Sequence, residues 1–340
     1  MKKSCLFAVL ILTLSFVQAQ KVQDKLVRML PAFSSLNIES GFVGNVILCQ
    51  SPESKLEIAV ESEDHNAEYI ASEVTNGELT LSIKEHPQKS LDLKVAYMKI
   101  YSPNFHSVTS KGTGNITIEN RLSGDNFTLD VSGPGNTKIN ELQMRNNIVI
   151  TTKSPGNLNI KKCQADDAVI QLGGAGHFEV AEIGGITPNN KITINIGGAG
   201  NMVIGNVAAD KLFLKKKSAG NLVLKDISAN ELRLKNEGAG NVKVTGNVVD
   251  VDIYNGGVGN FNTAGLTAEI ANVVNNGINV IHLKVQDTAY ISGEVVTAKD
   301  IITNNGVVKI SGPAKVFQLV PVLDPKTGEE TGEKGKVQIK

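Results

Sequence analysis

The sequence of 340 residues contains no tryptophan, and its aromatic residues amount to 4% of the whole. Flat aromatic platforms are what proteins use to stack bases and sugars, so recognition by stacking along the whole chain is a poor fit. Net charge is missing too: 34 basic residues face 34 acidic ones. A neutral chain carries no overall electrostatic footprint for nucleic acid or for an anionic bilayer. Cysteine is scarce. Beyond Cys5 there are only Cys49 and Cys163, so one disulfide at most can form, and two buried thiols are the simpler expectation. Long apolar runs are absent after the first 20 residues, which excludes a transmembrane helix.

The N-terminus reads "MKKSCLFAVLILTLSFVQAQ". Lys2 and Lys3 form a positive start, residues 5–17 an apolar run too short to span a bilayer, and Val17 and Ala19 the small residues of a cleavage site. Residues 1–19 are therefore expected to be a secretory signal peptide. The expected destination is the periplasm, the outer-membrane surface or the extracellular space.

Glycine is abundant, with 33 residues, and it recurs in a pattern. "EGAGNVKV" at 237–244 is echoed by "GGAGNMVI" at 197–204, "KSAGNLVL" at 217–224 and "GGVGNFNT" at 256–263. The glycine before the asparagine falls at Gly114, Gly135, Gly156, Gly176, Gly200, Gly220, Gly240 and Gly259, with gaps of 21, 21, 20, 24, 20, 20 and 19. The long gap holds "GGITPNN" at 184–190, which reads as a loop insertion. An early copy lies at Gly44 and Asn45, and degraded copies surround Gly277 and Gly306. Within each unit, short apolar–polar alternations flank the glycine motif, as in Leu212-Phe213-Leu214 and Leu222-Val223-Leu224. Such alternation is the mark of a strand with one buried face. Two short strands cannot bury a core alone, so about ten units must stack. The period fits neither a leucine-rich repeat nor a hexapeptide helix nor a coiled coil. The expected fold is all-β: a right-handed parallel β-helix with coils of about 20 residues and two main sheets.

The glycine motifs are then corners. Gly44, Asn45, Gly114, Asn115, Gly135, Asn136, Gly156, Asn157, Gly176, His177, Gly200, Asn201, Gly220, Asn221, Gly240, Asn241, Gly259 and Asn260 are the expected structural residues. Glycine would supply positive φ or close backbone approach, and stacked asparagine amides could bond from coil to coil. Calcium-binding solenoid repeats place aspartate where these corners place asparagine, and no phosphate loop or dinucleotide fingerprint is present. No cofactor and no metal site are expected. The five histidines, His65, His86, His106, His177 and His282, are scattered, with His177 standing in for a corner asparagine. Asp166-Asp167 is the one tight acidic pair near a turn, and "ESEDHNAE" at 61–68 an acidic loop. Paired carboxylates can serve acid–base chemistry, but at a turn they are ordinarily solvated. Lys215-Lys216-Lys217, with Lys225, Lys235 and Lys243 on neighbouring coils, suggests either a basic strip able to attract anionic glycans or solvated guards of an exposed strand. No catalytic constellation can be built, so a non-enzymatic protein is expected.

The opening of the first β region, "PAFSSLNIESGFVGNVIL", the later "NGELTL" at 76–81 and the repeated G-x-G-N corners resemble the auto-transporter adhesin head GIN domain family, exported proteins common in Bacteroidetes. The resemblance spans about residues 31–318. It implies a β-helix shaped like the pectin lyases, no shared catalytic set, and a role in cell adhesion. The expected organisation is an N-terminal β region over 31–110 that starts and caps the solenoid, with one short helix near 65–72, then regular coils over 111–318. A polar tail over 319–340 shows no translocator pattern. The expected partner is a protein or glycan at the cell envelope; self-association stays open. The alternatives are a glycan-binding or glycan-cleaving β-helix and a periplasmic scaffold component.

Overall fold

The computed structural model describes residues 23–61, 66–84, 95–277, 280–281, 284–292, 297–303, 307–311, 315–323 and 330–339. The signal segment, His65, His86 and His282 lie outside these residues. The chain is a β-solenoid of about nine stacked turns. Among the described residues no helix is long and apolar enough to cross a membrane.

The regular coils are carried by long strands: β1 (Ile116–Val131), β2 (Thr137–Thr152), β3 (Met202–Lys216), β4 (Leu222–Asn236), β5 (Val242–Asn255) and β6 (Phe261–Asn275). Between the second and third of these, each coil is split into two strands, Leu158–Gln164 with Asp167–Leu172 and Phe178–Gly184 with Lys191–Ile196. All pair in parallel, each coil on the next.

Burial within β3 shows how one coil is made. Met202, Ile204, Val207, Leu212, Leu214 and Lys216 are buried, and the residues between them are partly or fully exposed. Period-two alternation therefore breaks step twice, after Ile204 and after Val207, and each break bends the strand. A coil consequently has three inward-facing segments, where the sequence suggested two. The bends lie inside hydrogen-bonded strand; the first falls at Gly205-Asn206, a pair that alternation alone reads as the turn closing a two-strand unit.

Stacking turns these positions into ladders. Val108, Leu129, Ile150, Ile170, Ile194, Leu214, Leu234, Ile253, Val273 and Ile291 lie in successive register, and none exceeds 2% exposure. Fully burying an aliphatic side chain of this size stabilises by about 1.5–3 kcal/mol. One ladder is thus a large share of the driving force, and it grows with every coil added.

The N-terminal region begins the stack and closes its end. Ser35–Ile38 pairs in parallel with Ser107–Ser110, and Val46–Gln50 with Ile116–Ile118, so residues 35–50 form the first coil. Antiparallel strands then extend two of its faces: Lys55–Glu61 and Gln23–Met29 beyond Val95–Ser102, and Ile70–Thr75 beyond Glu78–Ile83. Arg28 ties the two extensions together through hydrogen bonds to the carbonyls of Ala67 and Ile70 and to Ser72 Oγ. The short helix expected near 65–72 is a 3₁₀ turn, Asn66–Tyr69. At the other end, where composition suggested a polar tail, Lys315–Leu323 and Glu330–Ile339 pair as antiparallel strands.

Candidate functional site

Each expected corner lies between the third segment of one coil and the first segment of the next. Gly114 stacks on Gly44, Gly135 on Gly114, Gly156 on Gly135, Gly176 on Gly156, Gly200 on Gly176, Gly220 on Gly200, Gly240 on Gly220 and Gly259 on Gly240. A Cβ on any of these upper glycines would meet a carbonyl oxygen of the coil beneath at 1.7–2.7 Å. Positive φ is found at Gly114, Gly135, Gly240 and Gly259, but not at Gly156, Gly176, Gly200 or Gly220. Close approach is therefore the requirement common to the column, and left-handed backbone applies to only part of it.

The residue after each glycine bonds in both directions. The backbone N–H of Asn136, Asn157, His177, Asn221, Asn241 and Asn260 donates to the side-chain Oδ1 of the corner asparagine one coil earlier, at 2.8–3.0 Å. Asn115 makes the same contact with Asn45 at 3.3 Å. The carbonyls of Asn115, Asn136, Asn157, His177, Asn201, Asn221, Asn241 and Asn260 accept from the first strand residue of the coil before. His177 keeps both backbone contacts, but no side-chain rung is found among the described residues between it and Asn201.

The remaining sequence candidates separate. Asp166 Oδ1 accepts from the Thr187 N–H at 3.1 Å and the Asp166 carbonyl from the Lys191 N–H at 2.9 Å, so this carboxylate pins the inserted loop. Asp167 belongs to the following strand. His106 contacts Asn104 at the surface, 2.9 Å away. Cys49 and Cys163 are both free and buried, and desolvation pushes the Cys163 thiol up to about 12. Lys225 and Lys243 lie with the first segment of their coils, away from Lys215 and Lys235 in the third, so the six lysines form no single strip.

What the third segment does present is a groove of about 470 Å³ on its outer face, spanning the strands from Lys191–Ile196 to β6. Two registers run along it. One contains Thr193, Phe213, Arg233, Asp252 and Asn272; the other contains Asn195, Lys215, Lys235, Tyr254 and Val274. Phe213 lies between two cations, with Lys191 Nζ and the Arg233 guanidinium carbon each 5.1 Å from its ring centre. Lys235 Nζ lies 4.8 Å from the Tyr254 ring. Arg233 Nε also contacts Glu231, and Asp252 at 3.6 Å. Glu237 receives Lys235 at 2.7 Å, Lys215 at 3.7 Å and Lys217 at 3.9 Å. The hydrogen bond from Lys235 holds the Glu237 carboxyl below its ordinary range and raises Lys235 in return. Phe213 and Tyr254 were readable as outward residues from alternation; their sharing one groove depends on register and was not.

Beneath the groove floor lies a feature the sequence reading missed. Lys216, the middle of the lysine run, points inward and is fully buried. Its Nζ donates to the carbonyls of Ser218, at 2.9 Å, and Ala239. Burial lowers its pKa. In the following coils its rung is occupied by Asn236, Asn255 and Asn275. Asn236 Nδ2 donates to Asn255 Oδ1, and Asn255 Nδ2 to Asn275 Oδ1, both at 2.8 Å. The signal was available: Leu212, Leu214 and Lys216 alternate in step.

No curated protein matches this chain. Several solved structures resemble it in outline. A "putative adhesin" from Bacteroides fragilis is 19% identical, with 86% of this chain and 97% of that one covered and a TM-score of 0.42. One from Parabacteroides distasonis is 16% identical over 87% and 97%, with a TM-score of 0.34. One from Parabacteroides merdae is 15% identical over 88% and 96%, with a TM-score of 0.31. Residues 32–204 and 186–312 match the family described as "Putative auto-transporter adhesin, head GIN domain". Together these two segments take in most of the solenoid, and the chain belongs to that family.

Proposed function

We propose that this protein is a non-enzymatic, exported surface-interaction module. In this reading the corners serve the solenoid alone, and the outer groove of the third segment makes the contact. The observation that carries it is the aromatic and cationic lining around Phe213, Arg233, Lys235 and Tyr254. Upstream, the same two registers hold no cation and no aromatic ring: Thr128, Val149, Val169 and Thr193 in one, and Asp130, Thr151, Gln171 and Asn195 in the other. Tyrosine and arginine gathered on one open face are residue types enriched at contact hot spots, and the rings also hold the cations in place. The family's description as an adhesin head supports the same reading.

The test has two parts. Protease shaving of intact cells should remove the protein if it is displayed; protection would place it inside the envelope and favour the scaffold alternative. Purified protein should bind cells or extracted envelope polysaccharide, and a Phe213→Ser/Tyr254→Ser variant with an unchanged circular dichroism spectrum should not.

One arrangement favours a second reading, glycan cleavage. Glu231 and Asp252 converge on Arg233 beside the groove. Both carboxylates are engaged by one guanidinium, and Asp252 Oδ1 also accepts from Asn272 Nδ2 at 2.9 Å. A general acid and base need free and differing protonation states. Release of reducing ends from an envelope polysaccharide, abolished by Asp252→Asn, would establish cleavage in place of binding.

A further inference from the structure

We infer that the groove takes an acidic polysaccharide, a chain bearing carboxylate or sulfate groups, laid along the solenoid axis across successive coils. The inference rests on the groove being the contact site. Its first support is local charge. The chain as a whole is neutral. Yet the outward positions of the third segment from Lys191 to Tyr254 hold six basic side chains, Lys191, Lys211, Lys215, Lys217, Arg233 and Lys235, against the four carboxylates of Glu231, Glu237, Asp250 and Asp252. Three of those lysines share the single carboxylate of Glu237. An incoming anion meets lysines that one internal partner cannot neutralise.

Spacing is the second support. Lys215 and Lys235 are direct register partners, so this charge repeats one coil on, about 4.8 Å away, and Phe213 and Arg233 set a ring and a cation at the same spacing. A sugar ring in an extended chain advances by a similar length, so consecutive rings can each meet one coil. The third support is the lining between the cations. Asn195, Asn272 and Thr193 offer amide and hydroxyl partners for ring hydroxyls, and the Tyr254 ring, 37% exposed, offers an apolar face. A nucleic acid would satisfy the charge but would call for more stacking surface than two rings supply.

The experiment is binding of the full purified protein to immobilised polygalacturonate, chondroitin sulfate and neutral dextran, at low and at physiological salt. Wild type should bind one or both acidic polymers, bind dextran at least tenfold more weakly, and lose affinity as salt rises. Lys215→Ser/Lys235→Ser should reduce acidic-polymer binding at least tenfold. Lys225→Ser/Lys243→Ser, equal in charge change but outside the groove, should leave it within twofold. If dextran binds as well as the acidic polymers, and Phe213→Ser/Tyr254→Ser abolishes this while the lysine pair does not, the groove reading stands and the acidic class is wrong. If acidic polymers bind but both lysine pairs weaken them equally, the attraction is diffuse and the groove assignment fails. If no polymer binds while cell attachment persists in the Phe213→Ser/Tyr254→Ser variant, both readings fall.

Discussion

The glycine column permits a quantitative test, because the structure separates two reasons for needing glycine. At Gly156 φ is ordinary, but an added Cβ would sit 1.7 Å from Gly135 O, where ordinary contact begins at 3.4 Å. At Gly77 φ is +77° with nothing within 4 Å of the added atom. At Gly41 neither constraint applies. Relieving the clash in Gly156→Ala requires the two coils to part by more than an ångström at that corner. Two contacts there hold the coils together: Thr137 N–H to the Asn157 carbonyl at 2.8 Å, and Asn157 N–H to Asn136 Oδ1 at 3.0 Å. Losing both, each worth about 1 kcal/mol, and leaving a buried group unsatisfied at about 1–3 kcal/mol, gives roughly 3–5 kcal/mol. Gly77→Ala should lose only the left-handed backbone cost of about 1–2 kcal/mol. Gly41→Ala should stay within about 0.5 kcal/mol of wild type. Urea denaturation followed by circular dichroism gives the order. Solenoids can unfold in parts, so hydrogen exchange at the amides of Thr137 and Asn157 adds a local readout. A Gly156→Ala midpoint indistinguishable from that of Gly41→Ala would refute close approach as the reason for the column.

The buried polar ladder gives two more expectations, and the buried thiol of Cys163 a third. Asn255→Leu removes the acceptor of Asn236 Nδ2 and the donor to Asn275 Oδ1; it should destabilise by roughly 2–4 kcal/mol in urea denaturation, whereas Asn230→Ala, which breaks a surface contact to Asp210, should cost under about 0.5 kcal/mol. For Lys216, burial lowers the folded pKa below the ordinary 10.5. Folding thus disfavours the proton, and stability contributed at this position rises with pH between the lowered folded value and 10.5. The stability of wild type minus that of Lys216→Met should therefore increase over that alkaline interval; a flat difference refutes the desolvated amine. Cys163, fully buried with its thiol pushed up to about 12, should resist iodoacetamide until the coil unfolds and label completely in urea. Labelling of Cys163 in native buffer at the rate of a free thiol would contradict the packing.

The stacked architecture was legible because the repeat encodes it twice, in the spacing of Gly114 through Gly259 and in the apolar alternation beside each glycine. The three-segment coil was less legible. Its bends are phase slips of alternation within continuous strands; the first is marked by turn-type residues, Gly205-Asn206 in the step from Ile204 to Val207 and Asp226 and Gly246 with positive φ in the next coils, but the second, between Val207 and Leu212, has no glycine and no positive φ. The groove was half legible. Phe213, Lys215, Lys235 and Tyr254 could each be assigned outward, but the pairing of Lys235 with Tyr254 joins residues 19 apart, and Lys215, Lys217 and Lys235 meet only at Glu237. Reading the lysine run as uniformly solvated failed at Lys216. A solvated run ignores the pleat, which sends every second side chain inward whatever its polarity.

The two kinds of position in a coil are under different physical constraint, and this is why the contact site is assigned to the face and not to the corner. At a corner, backbone meets backbone. A side chain at Gly156 or Gly200 has no room, and the following Asn spends its side-chain oxygen on the next coil, so the corner offers neither a cation nor a ring to a ligand. An outward position of the third segment has neighbours only within its own face. Thr193 can become Phe213 one coil later and Arg233 the next without disturbing Ile194, Leu214 and Leu234 behind them. Chemistry can therefore change from coil to coil on this face while the ladder behind it stays aliphatic. A single outward side chain has little reach, but the coil spacing of about 4.8 Å assembles several into a continuous strip. Recognition by such a strip depends on the order of residues along a register and not on one residue. Exchanging Phe213 with Arg233 should preserve charge and stability and yet alter polymer binding at least severalfold. Equal binding before and after the exchange would show that the face acts only through its net charge.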